Sequence, residues 1–153
     1  MASIVNNIMK EAAGRLLVAS GVESVYRPTR QGDYPFIDKA VVLTHDDIEG
    51  VPELSCPGNP PKTAWILPVK VTGMIIPDDD ASEAIDIAEN DFGVLLMDAI
   101  TADGEGWHTF GGNAIYAELT PLINFHPGDD TARAVQFTIR VTYRVDETSQ
   151  ATL

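Results

Sequence analysis

The sequence predicts a single α+β domain in which an antiparallel β-sheet carries two α-helices packed on one face. Three observations lead there. Two segments space their apolar residues as a helix does, several others alternate apolar and polar residues in steps of two, and the order helix, strands, helix, strands is joined by hairpin-like connections. With 153 residues, 44% of them hydrophobic, the chain suits one domain (1–153) with one substantial core.

Residues 4–19 read as the first helix. Val5, Ile8, Met9, Ala12, Leu16 and Ala19 line one face, Ser3 can cap the start and Gly21 can end it. A short strand at 24–27 and a polar turn at 28–33 lead to a second strand at 34–43. Residues 44–63 hold four prolines and two glycines, so they read as a long loop, and loops of that length are usually functional or disordered. Alternation returns at 64–76, where Trp65, Leu67, Val69, Val71 and Ile75 share a face; Pro68 argues for an edge strand or a bulge.

The clearest helix spans 78–100. Ala81, Ala84, Ile85, Ala88, Phe92, Leu95, Leu96 and Ala99 fall within a stripe of about 120°, and Asp80 and Glu83 have the spacing of a capping box. A Gly-rich hairpin or loop at 101–113, a strand at 114–119 and a loop holding 126-HPGDD-130 deliver the chain to 135-VQFTIRVTYRVDETSQ-150. There Val135, Phe137, Ile139, Val141, Tyr143 and Val145 alternate with Gln136, Thr138, Arg140, Thr142, Arg144 and Asp146, the pattern of a long half-buried strand. A flexible tail is expected from about 147 to 153.

Charge is distributed unevenly. Between Lys70 and Arg133 there are thirteen acidic residues and no Lys or Arg, so the net charge of −13 belongs to the middle of the chain. One acidic surface and one mixed surface follow, whereas a phosphate-backbone binder would need the opposite sign. Cys56 is the one cysteine, which precludes an intramolecular disulfide and fits a reducing compartment. Asn6, Asn7, Lys10 and Glu11 interrupt the N-terminal apolar run, and no segment approaches the roughly 18 apolar residues of a membrane span. The expectation is a soluble intracellular protein with no membrane partner.

Motifs for chemistry do not assemble. The carboxylates at Asp78–Asp80 and the group His45, Asp46, Asp47 match neither a zinc helix nor a calcium loop. A dinucleotide fingerprint starting at Gly104 would need glycine where Thr109 stands. Ser55 and Cys56 lack a flanking nucleophile motif, and His45, His108 and His126 lie in loops without an identifiable partner. No catalytic residue, cofactor or metal is therefore expected. Two surfaces stand out instead. The outer side of the long helix is acidic at Asp79, Glu83 and Asp86 and turns apolar at Ile87, Val94 and Met97, which suits a subunit contact. The ladder Gln136, Thr138, Arg140, Thr142, Arg144 is the second.

The N-terminal helix ending near 20-SGVESVYRP-28, the strand running into 76-IPDDDASEAIDIAENDFGVLLMDAI-100 and the closing strand 137-FTIRVTYRVDE-147 together resemble the tail terminator proteins of long-tailed phages. The likeness is one of pattern and order over most of the chain. It implies a small, non-enzymatic α+β subunit that forms a hexameric ring on the end of the tail tube, stops tube growth and offers a face to the head-tail connector. Genomic DNA would pass through the lumen without specific binding, and the protein would assemble in the host cytoplasm and reside in the virion tail or neck. The Thr/Arg ladder would then supply charge-assisted bonds to acidic neighbours, and the acidic middle would be the complementary surface or a lining that repels DNA. Two rival expectations are a different neck or head-completion subunit, and a small cytosolic ligand-binding domain or enzyme using the loops at Asp46–Asp47 and Trp107–His108.

Overall fold

Two strands of fourteen residues each, β4 (Lys62–Ile75) and β7 (Arg133–Asp146), pair antiparallel along their whole length and form the spine of the molecule. The computed structural model describes residues 3–28, 37–58, 61–76, 84–125 and 132–146. Both spine strands alternate a core-facing side chain with one on the open face, so Leu67, Val69 and Val71 meet Val141, Ile139 and Phe137 across the pair.

Each spine strand is flanked by two shorter strands in succession. Along β4 run β2 (Ala40–His45) and then β3 (Glu49–Gly50); along β7 run β5 (Tyr116–Leu119) and then β6 (Ile123–Phe125). With β1 (Ser24–Tyr26) beside β2, the sheet has seven strands among the described residues, in the order β1-β2-β4-β7-β5 with β3 and β6 as additions. The α+β class holds, but the sheet is mixed, because β1 pairs parallel to β2. A hairpin cannot join parallel neighbours, and the thirteen residues between Tyr26 and Ala40 are the length such a crossover needs.

Pro68 marks a change of neighbour, not an edge. β2 leaves β4 at Val69 and β3 joins at Ile66, and between them the Asp46 amide donates to the Pro68 carbonyl, 2.9 Å. The missing proline N–H therefore falls where no strand asks for it. On β7 the matching break lies at Thr138, whose amide donates to Thr120 Oγ1 (2.9 Å) while its carbonyl accepts from the Thr120 amide (2.9 Å).

Helices α1 (Ile4–Leu17) and α2 (Ile85–Ile100) pack on the same sheet face into one cluster that includes Ile8, Leu16, Phe92, Leu96 and Phe137. Ser3 caps α1, its Oγ accepting from the Asn6 amide at 3.0 Å. α2 begins later than the periodicity suggests: Ala84 is extended and exposed, and burying a methyl group there offers little reason to prolong the helix. The proposed capping pair Asp80 and Glu83 lies outside the described residues, as does 147–153. Glycines bring α2 onto the sheet. A Cβ on Gly73 would stand 2.7 Å from the Phe92 ring, and one on Gly93 would stand 2.9 Å from Val135.

The 44–63 segment is more ordered than a loop, since it contains β3, a 3-10 turn at Pro52–Leu54 and a backbone bridge between Cys56 and Lys62. Likewise 101–113 is no hairpin. A 3-10 helix, Gly104–Thr109, buries Trp107 and leads to a left-handed Phe110 (φ 48°), also buried. The open face has a closed end as well, where Ala40, Met74, Ala132 and Ala134 are fully buried beside Tyr26 and Phe125. Among the described residues no helix is long and apolar enough to cross a membrane.

Candidate functional site

The ladder of β7 occupies the open face as its spacing requires, but its members are unequal. Gln136 donates to Thr72 Oγ1 at 2.8 Å, Thr138 sits at the strand break, and Thr142 is buried at 8% exposure. Arg140 stands between two glutamates from the flanking strands, Glu49 at 3.7 Å and Glu118 at 3.6 Å. Arg144 spends only its Nε, which donates to the Leu54 carbonyl at 2.9 Å. Much of the ladder's charge and hydrogen bonding is thus satisfied within the chain. Arg144 remains the ladder cation without an ion-pair partner among the described residues.

Around Arg144 the surface is apolar as well as basic. Lys62, Ile115 and the turn 112–114 line a depression of about 270 Å3 with it. Leu54, Ile115 and Tyr116 are each 40–49% exposed nearby, and Tyr116 lies opposite Thr142 on the open face.

A larger groove, about 630 Å3, opens on the opposite layer between the end of α1 and the outer side of α2. Val18, Val94 and Leu95 give it an apolar floor, while Asp91 and Asp98 stand along it. Asp91, Val94, Leu95 and Asp98 follow helical i, i+3, i+4, i+7 spacing and so form one stripe of α2. Neither aspartate has an ion-pair partner among the described residues. Arg15 holds the groove's far end together. It donates to Glu11 (2.9 Å), to the Ile100 carbonyl (2.7 Å) and through two nitrogens to Asp103 (2.6 and 3.1 Å), and it lies over the Phe110 ring. The hydrogen bond from Arg15 holds the Asp103 carboxyl below its ordinary range, and the same bond raises the Arg15 guanidinium.

Of the helix residues expected at a subunit contact, Ile87 (48%) and Val94 (49%) are exposed and Asp86 is on the surface. Met97 is not: it is half-buried and packs against the core, because α2 lies low enough on the sheet for its flank to be enclosed. Asp79 and Glu83 lie outside the described residues. The groove has only a faint signal in the sequence: Leu17 and Val18 fall off the buried stripe of α1 and are 60% and 85% exposed.

The places considered for ligand chemistry have structural occupations. His108 donates from Nδ1 to the Ala117 carbonyl (2.8 Å), and its ring stacks on Tyr116 with centroids 5.0 Å apart. With Trp107 buried beneath, the pair anchors the 3-10 helix to β5. Asp46 pairs with Lys70 at 3.2 Å, and Glu49 faces Arg140. Among the described residues no three His, Cys, Asp or Glu side chains form a group able to hold a metal ion. The sequence matches no protein-family model and no curated protein.

Proposed function

We propose that the chain is a structural subunit of a long-tailed phage particle, a tail terminator that assembles as a hexameric ring on the end of the tail tube. In that role it stops tube growth and presents its other face to the head-tail connector, residing in the virion's tail or neck after assembly in the host cytoplasm. The resemblance of order and pattern supports the family. The observation that carries the assembly is that most of the exposed large apolar residues divide between two opposite layers, Leu17, Val18, Ile87 and Val94 on the helices and Leu54, Ile115 and Tyr116 at the sheet, with Ile37 and Ile123 exposed apart from them. Two different sticky patches on opposite sides favour head-to-tail association, which closes into a ring when the rotation between copies permits. The acidic middle of the chain suits a passage that DNA crosses without binding.

The test is electron microscopy of particles made with this gene disabled, recording tail length and head attachment. Overlong, unattached tubes are the expected result. Tails of normal length beside unjoined heads would overturn termination and move the protein to a neck or head-completion role. An unaltered particle population would overturn both and return attention to a cytosolic ligand-binding domain.

A further inference from the structure

Building on the ring reading, we infer that the α1–α2 groove is the socket for a second copy of this chain. The inserted element is the sheet-end patch of Leu54, Ile115 and Arg144, and Asp98 with Asp91 receives Arg144 and Lys62. Charge favours this pairing first. The groove carries two aspartates that have no ion pair among the described residues beside its apolar floor, and the patch carries two cations beside exposed apolar side chains. Each surface repels its own kind, so groove cannot face groove and patch cannot face patch without like charges meeting.

Placement favours it second. The groove is cut between helices that cover the core face, whereas Arg144 and Tyr116 project from the open face. One copy cannot fill its own groove, so the contact joins two copies, and it is heterologous. Arg144 is suited to the insertion: its Nε is held by the Leu54 carbonyl at 2.9 Å, which orients the guanidinium while leaving both terminal nitrogens for a carboxylate. Arg and Tyr are also the residue types that most often anchor such contacts. The socket is preorganised from within, since Arg15 ties α1, the end of α2 and Asp103 together at its margin.

Charge reversal in the full-length chain tests the pairing, with mass and affinity read by analytical ultracentrifugation and folding by circular dichroism. Asp98→Arg and Arg144→Glu should each weaken association about tenfold or more while the monomer stays folded. The two reversals in one chain should restore assembly. So should an equimolar mixture of the single variants. In an alternating ring of the two, every second junction keeps the parent pair, Asp98 with Arg144, and each junction between joins the two substituted positions, whose charges are again opposite. Should a reversal unfold the monomer, the milder Asp98→Asn and Arg144→Gln probe the same contact. Single variants that assemble like the parent would overturn the socket and leave the ring reading standing. Loss of assembly with no recovery in the double variant or the mixture would likewise overturn it. Variants that still form rings but no longer bind tube protein would make the tube the occupant and overturn it too. A parent chain that stays monomeric at every concentration would overturn the socket and the ring together.

Discussion

On the core face of β7, Val135, Phe137, Ile139, Val141 and Tyr143 are all at most 1% exposed; on its other face, Gln136, Thr138, Arg140 and Arg144 stay half-buried and bonded to whatever flanks them. From Gln136 to Arg144 the strand therefore serves two purposes, and the alternation separates them except at Thr142, which is buried at 8% exposure. Core-face residues set stability because they exchange water for close packing. Open-face residues exchange one polar partner for another, so they add little to stability and are available for recognition. This difference makes surface function separable from folding by single substitutions at adjacent positions.

The sharpest way to break that separation is to truncate neighbours. Phe137→Ala should cost about 3–5 kcal/mol in urea unfolding, through lost transfer energy and the cavity left under α2. Gln136→Ala, one residue away, should stay within about 1 kcal/mol, the scale of the single hydrogen bond to Thr72. Comparable losses at the two sites would mean the open face is part of a second core.

Tyr143 tests the core face from a different side. Its hydroxyl and the Trp65 indole N–H are buried without a hydrogen-bond partner among the described residues, on side chains paired directly across the spine. Burial pushes the Tyr143 hydroxyl from 10.0 up to about 12. Between those values the unfolded chain has released its proton and the folded chain has not. Stability is therefore intact below pH 10 and falls as pH rises towards the folded pKa, by about 1.4 kcal/mol per unit. Tyr143→Phe should be neutral or slightly stabilising at pH 7, since it deletes an unsatisfied polar atom. Above pH 10 it should lack the parent's additional slope, measured as the difference between the two unfolding curves. An identical alkaline slope would place the hydroxyl in contact with water.

The two faces of β7 are legible in the sequence, because a period of two over twelve residues leaves no second assignment. α1 and its Ser3 cap were legible for the same reason, with helical period and capping agreeing. Other features leave no periodic trace. The direction of β1 depends on a crossover, not on side-chain order, and β3 with the Cys56–Lys62 bridge consists of a few backbone pairs among prolines. Glu89 lies at the flank of the buried stripe of α2, three residues before Phe92 and seven before Leu96, and although its charge argues for solvent it is buried at 4% exposure, where Arg133 of β7 reaches it at 3.6 Å. The candidate socket is the hardest case. It joins the end of one helix to the middle of another seventy-odd residues later, so α1 and α2 carry its halves in separate apolar patterns.

The smallest effect discriminates within the ladder. Arg140 faces two glutamates at 3.6 and 3.7 Å, both more than half exposed, so its ion pairs are loose and well solvated. Arg140→Ala should change folding stability by no more than about 0.5 kcal/mol. Its effect on assembly should be equally small, within about twofold, because the guanidinium is already shared inside the chain and has little charge to offer a neighbour. Arg144 differs in having no ion-pair partner among the described residues, so equal spacing on one strand does not mean equal roles. Sedimentation of the Arg140→Ala and Arg144→Ala chains side by side decides the matter. A larger assembly defect at Arg144 supports recognition at the strand's far end, and a larger one at Arg140 would place the contact over Glu49 and Glu118 at its centre.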